Sequence, residues 1–297
     1  MATAWFGRKT FTIIFALAII SVVIFYTKFS VSTVHVLDYN NFARLYENSS
    51  LKPIKVEIDW KKVNVSTLTP ELIIEYFKWS NQTSCKLTHD FGGKMMRNPS
   101  GFDGQKAVCL DDKIAPQPGS CIVYSFGINN EWSFDETMED YGCQVFAFDP
   151  TMNVATHKHS QGVNFYNLGI ADKDDPGQNY KTLSSIYSML KPAHGDDAII
   201  DYLKMDIEFN EWTVIPQIIE SGMLAKVRQL GIEFHLYAQA TDLSWFHESV
   251  KIVKSIEDAG MIRFDSKYNP WFVGNLWAMN GVTESLGYEI AWYQILP

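Results

Sequence analysis

Positive charge is scarce in this chain. Its 297 residues hold 25 Lys and Arg against 34 Asp and Glu, a formal net charge of −9. Binding that neutralises phosphates needs a cationic surface, so a nonspecific nucleic-acid role is disfavoured and no nucleic-acid partner is expected. Cysteine is sparse too, with four residues, no CxxC pair and no Cys/His zinc spacing, so no metal site is expected. No internal repeat or low-complexity tract is visible, which argues against a solenoid or a disordered chain. Glycine is short where it would be most informative: the turn in CIVYSFGINNEW holds only Gly127.

What is present begins with a membrane signal. Arg8 and Lys9 precede Phe11 to Thr27, an uncharged apolar run of about 17 residues, and Lys28 closes it. A cleaved secretory signal is the alternative, but its apolar core is usually about 7–15 residues and Ser30-Val31-Ser32 is a poor cleavage site. The basic tail predicts a single-pass type II protein of the Golgi or endoplasmic reticulum, with its catalytic domain in the lumen. Sequons at Asn48, Asn64 and Asn81 agree, whereas Asn98 is followed by Pro99 and does not qualify. The resulting organisation is a cytosolic tail (1–10), a signal anchor (11–27), a lumenal stem (28–68), a helical and irregular lead-in (69–118) and a folded domain (119–297).

An oxidising compartment makes the even cysteine set a candidate disulfide framework. If Cys121 and Cys143 open neighbouring parallel strands, they lie within reach of a bridge, which leaves Cys85 with Cys109. Buried free thiols are the alternative.

Thr69-Pro70-Glu71 supplies an N-cap, a proline at the first helical position and an acid in the first turn, predicting a helix through LIIEYFKW. The Gly-, Pro-, Asn- and Asp-rich stretch from His89 to Asp112 is expected to be irregular. Beyond Pro118, apolar runs of strand length alternate with helical periods, the rhythm of a parallel sheet covered by helices. The strands are CIVYSF, CQVFAFD, GVNFYNLGI, DYLKMDI, VRQLGIEFHL, MIRFDS and YEIAWYQIL, the last two joined in an antiparallel finish. Helices fit Phe134–Tyr141, Leu183–Leu190, Trp212–Glu220 and Leu243–Ala259.

In such sheets ligands bind beyond the carboxyl ends of the strands. The first strand ends in Ser125-Phe126-Gly127-Ile128-Asn129, where a glycine lets backbone approach a ligand. The second ends at Asp149-Pro150, about 20 residues on, a position suited to a nucleoside ribose. Asp172 after the third could reach the base, with a plain surface loop as the alternative. At the fourth, strand alternation puts Asp206 and Glu208 on one face, where two carboxylates can position a hydroxyl, take its proton or hold a cation. His235 ends the fifth as a candidate base.

From Cys121 to Leu296 the chain resembles the FkbM-type branch of class I S-adenosylmethionine-dependent methyltransferases. The likeness rests on VYSFGINNEWSFD, FAFDP and LKMDIEFNEW, with DGQKAVCLDD upstream. It implies an α/β Rossmann-like three-layer sandwich, with a mostly parallel seven-stranded sheet and an antiparallel final strand, to which the apolar run at Phe11 to Thr27 adds an N-terminal transmembrane helix. It also implies S-adenosyl-L-methionine as cofactor and a hydroxyl-bearing small molecule or glycan as substrate. The cofactor residues would be Ser125, Gly127, Asn129, Asp149 and Asp172, and the catalytic ones Asp206, Glu208 and His235. Lys204 and Glu211 also fall on the family's fourth-strand pattern. Ser125 stands where the family usually has an acid, and Phe209 where it has a glycine. An inactive interaction module on the same fold and a type II glycosyltransferase are the competing expectations.

Overall fold

The lead-in helix forms where its capping signal lies. In the computed structural model, which describes residues 58–97 and 100–296, α1 (Pro70–Lys78) starts at Thr69, whose side chain accepts a hydrogen bond from the Leu72 amide, with Pro70 at its head. The expected cytosolic tail, anchor, first sequon and most of the stem lie outside the described residues. Among the described residues, no helix is long and apolar enough to cross a membrane. The amphipathic α1 buries Ile73, Ile74, Tyr76 and Phe77. Arg263 holds it down, donating from Nη1 to the carbonyls of Tyr76 (2.7 Å) and Trp79 (3.1 Å). Its guanidinium lies 4.6 Å from the Tyr76 ring centroid, within cation–π range.

The stretch expected to be irregular is instead a pair of nested hairpins. Strands β1 (Thr88–Phe91), β2 (Lys94–Arg97), β3 (Ser100–Asp103) and β4 (Lys106–Cys109) pair antiparallel as β1 with β4 and β2 with β3. Gly92, Gly93 and Gly104, all at positive φ, mark turns between strands of four residues. β2 is exposed along its length, so it carries no apolar alternation that would betray it.

The remaining elements follow in order: β5 (Ile122–Phe126), α2 (Ser133–Tyr141), β6 (Gln144–Phe148), β7 (His157–Lys158), β8 (Val163–Tyr166), β9 (Gly169–Ile170), β10 (Tyr180–Lys181), α3 (Leu183–His194), β11 (Ile200–Met205), α4 (Glu211–Glu220), β12 (Val227–His235), α5 (Ser244–Asp258), β13 (Ile262–Tyr268), β14 (Val273–Leu276), β15 (Val282–Ser285) and β16 (Gly287–Tyr293). The main sheet runs β13-β16-β12-β11-β5-β6-β8-β7. Its heart, β12 to β8, is parallel, and the final strand β16 inserts antiparallel between β12 and β13. This is an α/β Rossmann-like fold. It has eight strands rather than seven because the two-residue β7 adds to the edge, antiparallel to β8. The run GVNFYNLGI breaks after Tyr166, and its tail β9 pairs with β10 outside the main sheet.

Every residue of β11 is buried, as expected of a strand covered on both faces. On one face Phe134 and Met138 of α2 pack with Val123, Val145 and Val163. Both anticipated disulfides are present. Cys121–Cys143 joins the starts of β5 and β6 with Cα atoms 4.6 Å apart, and Cys85–Cys109 ties the lead-in to β4 at 6.0 Å.

Candidate functional site

Strand order reverses between β5 and β11, since β6 lies on the far side of β5 and β12 on the far side of β11. A crevice opens beyond the carboxyl ends at such a switch point. Here it is a cavity of about 540 Å³ lined by the loops after β5, β6, β11 and β12 and by the segment before β14.

Gly127 turns the chain out of β5 at φ +79°, and a Cβ added there would lie 1.7 Å from the Asp206 carbonyl oxygen. Only glycine allows these two loops to touch. Lys204 secures the contact: its buried ammonium donates to the carbonyls of Gly127 (2.6 Å) and Phe126 (3.3 Å). Asn129 and Asn130 continue the turn with φ of 44° and 60°, a region asparagine tolerates.

Asp149 holds that turn from the other side. Its Oδ2 accepts from the amides of Ile128 (3.0 Å) and Asn129 (2.8 Å), while Oδ1 accepts from the amide (2.7 Å) and hydroxyl (2.6 Å) of Thr151. Four bonds fill the acceptor capacity of a carboxylate. Asp149 therefore shapes the cavity wall, and Thr151 is the hydroxyl it positions there.

The catalytic candidates converge, though not by the expected route. β11 ends at Met205, so Asp206 and Glu208 leave strand geometry. Glu208 and Phe209 both adopt left-handed φ, 51° and 71°, and this turn carries the exposed Glu208 carboxylate to 3.5 Å from His235 Nε2. On its other edge, His235 Nδ1 lies 3.0 Å from Oε1 of the fully buried Glu211. Burial alone would lower the imidazole pKa, but the Glu211 hydrogen bond and the charges of Glu211, Glu233 and Asp206 push it up to about 9. That shift favours the imidazolium, so the ring is better placed to donate a proton than to accept one.

Asp206 takes the opposite charge state. Burial works to raise it, yet Lys106, Lys204 and His235 hold its carboxyl below the usual carboxylate range. Lys106, delivered by β4 and almost wholly buried, lies 3.9 Å from Asp206 and 2.5 Å from Glu289. Glu233, between these groups, is pushed well above the ordinary range by burial, then by Glu289 and Asp206.

Of the residues singled out from sequence, Gly127, Asn129, Asp149, Asp206, Glu208 and His235 line the cavity. Ser125 and Asp172 do not. Ser125 is fully buried on the opposite face of β5 from Phe126, toward α2, and Asp172 is exposed beyond β9. The acid missing at Ser125 has a neighbour that sequence reasoning passed over: Asp135, in the first turn of α2, is fully buried with neither carboxylate oxygen hydrogen-bonded. Glu233, Lys106, Thr151, Tyr180 and Trp271 were also missed. Only Glu233, two residues before His235 and so on the same strand face, had a readable signal.

The family described as Methyltransferase domain matches residues 75–279. The human protein named Probable methyltransferase-like protein 24 is 30% identical over 178 residues, covering 54% of this chain and 47% of its own length. Its Rattus norvegicus counterpart is 32% identical over 156 residues, covering 48% and 42%. The matched region thus spans somewhat under half of these relatives. A solved 16S rRNA (adenine(1408)-N(1))-methyltransferase variant from Catenulisporales acidiphilia aligns over 70% of this chain and 99% of its own at 10% identity, with a TM-score of 0.33. That score is too low for an argument to rest on it. The family match covers most of the chain and spans the whole of the cavity just described, and on that ground the chain belongs to the methyltransferase-domain family.

Proposed function

We propose that this protein uses S-adenosyl-L-methionine to methylate a hydroxyl group of a small molecule or glycan in the lumen of the secretory pathway. The observation that carries the reading is the single cavity at the switch point, which joins the Gly127 loop to the Asp206–Glu208 turn. Its size is that of a small-molecule site, which typically has about 300–1,000 Å³. The stacked Phe126–Phe148 pair, ring centroids 4.6 Å apart, offers an apolar wall. Thr151, Ile170 and Tyr180 would hold the nucleoside end of the cofactor, and Asn129 and Glu131 its amino-acid end.

When bound, that cofactor supplies a methyl carbon on a sulfonium, open to in-line displacement. The chain's own work is alignment and proton handling. Asp206, held below the usual carboxylate range, accepts the hydrogen bond of an incoming hydroxyl, fixes its oxygen and takes up the proton that the hydroxyl releases. The imidazolium of His235 donates from Nε2, and Glu208, at the solvent side, is the second acceptor. Trp271 and Phe272 line the same cavity and offer an aromatic surface to the acceptor. The carboxylates of Asp103, Glu131 and Glu208 disfavour a polyphosphate there.

Two disulfides support a lumenal setting, and the sequon residues Asn64 and Asn81 are exposed. Calorimetric titration of the full chain with S-adenosylmethionine tests the reading. Wild type should bind, and Asp149→Ala, which releases both ends of the cofactor loop, should bind at least tenfold more weakly. No binding by wild type overturns the proposal.

A further inference from the structure

Three groups lining the cavity carry more than hydroxyl positioning. Asp206, Glu208 and His235 each present one donor atom, and these atoms all lie within 4.8 Å of one another. They come from the ends of two adjacent parallel strands, β11 and β12. The sequence offers Asp206 and Glu208 as a pair able to hold a cation, and the fold adds His235 from the neighbouring strand.

We propose that Asp206, Glu208 and His235 Nε2 form a site for a divalent cation of the manganese or zinc class, with its open positions facing the cavity. The role of that ion, though not the site itself, rests on the methyl-transfer reading above: it would hold the acceptor hydroxyl and lower its pKa.

The imidazole is the independent observation. It is only 4% exposed yet lines the cavity. Its Nδ1 edge is taken by Glu211, itself 0% exposed, which leaves Nε2 turned toward Asp206 and Glu208. A buried carboxylate behind a histidine is the arrangement that orients metal-ligating imidazoles and raises their basicity. A mixed set of one nitrogen and two carboxylate oxygens suits ions of that class.

The distances are those of a site that closes on its ion. Donors bound at about 2.0–2.2 Å stand at most about 4.4 Å apart. Glu208 Oε2 and His235 Nε2 already stand 3.5 Å apart, so the closure of about 1 Å falls on Asp206, whose side chain must move toward them. Lys106 lies 3.9 Å from Asp206 Oδ2, beyond hydrogen-bond distance, and its charge opposes the ion without occupying its place. The proton now on Nε2 is displaced on binding, as metal binding to histidine requires.

The full chain in detergent, stripped with EDTA, is titrated with Mn²⁺ and free ion is followed by electron paramagnetic resonance. Wild type should take up one equivalent saturably. Glu208→Gln and His235→Ala should each weaken binding at least tenfold, while Glu248→Gln, on the exposed face of α5, should not. Glu208 is exposed, so its variant reports even if His235→Ala fails to fold. No saturable binding by wild type, or unchanged binding in Glu208→Gln, overturns the site. A parallel titration with S-adenosylmethionine separates the two proposals: cofactor binding without Mn²⁺ binding overturns only the metal site, and Mn²⁺ binding without cofactor binding overturns only the methyl-transfer reading.

Discussion

Replacing Asp135 with Asn should make this protein more stable at neutral pH. The side chain is fully buried in the first turn of α2, and neither of its oxygens has a hydrogen-bond partner. Burial pushes its pKa from 3.8 up to about 6, against the opposing pulls of Lys204 and of the nearby Ser125 hydroxyl. A folded state that holds the proton more tightly than the unfolded chain gains stability that is complete below about pH 3.8. That stability is lost as the pH rises through about 6. The gap of about two pH units, at about 1.4 kcal/mol each, amounts to roughly 3 kcal/mol, about half of it gone by pH 5. Asn has nearly the same shape and no charge to desolvate, so its stability should stay flat across this window. Denaturant unfolding of both proteins between pH 3.5 and 7, followed by tryptophan fluorescence, gives the difference directly. Any fixed offset from the buried amide is set aside by reading the slope. Variant minus wild type should rise by about 3 kcal/mol across the window. A difference constant within about 0.5 kcal/mol would show that Asp135 is not a desolvated acid, and the reasoning would fail.

Gly127→Ala combines a left-handed φ, costing about 1–2 kcal/mol, with a Cβ 1.7 Å from the Asp206 carbonyl oxygen. A stability loss of about 2–4 kcal/mol and at least tenfold weaker S-adenosylmethionine binding are expected by denaturation and calorimetry, and no change in either would refute the loop contact. Serine at both Cys121 and Cys143 frees a span of 22 residues and should cost about 3 kcal/mol, read as a shift in denaturation midpoint. A loss below about 1 kcal/mol would mean the bridge constrains little. Lys106→Met leaves Asp206 and Glu289 without their buried cation and should cost about 3–5 kcal/mol. The loss should be larger at pH 8 than at pH 5, because the orphaned carboxyls take up protons at the lower pH, and an equal loss at both would refute the charge account.

The sheet was legible because parallel strands covered on both faces print as short apolar runs, as β11 and β12 do. Helix α1 was legible because capping is a local event, complete within Thr69, Pro70 and Leu72. The site was legible only where one strand tip carries its own chemistry, as at Gly127, Asp206 and His235. The disulfide pairing was legible as well, but the partners of the polar side chains were not. Asp149 reads as an acid free for a ribose, but two backbone amides and Thr151 occupy it. Lys106 sits in a stretch rich in glycine and aspartate that gives no signal of burial, and only the packing of β4 against β12 and β16 buries it beside Glu289. Glu208 joins His235 through a left-handed turn at Phe209, a position where a glycine was the family expectation. Two such non-glycine residues in sequence cost about 1–3 kcal/mol each, and a turn of that kind persists only where its surroundings over-determine it. Spacing rules see ligands carried by one element. Here the donor set is divided between two strand ends, with its compensating lysine on a third segment, so its chemistry emerges only from the topology that brings β4, β11 and β12 together.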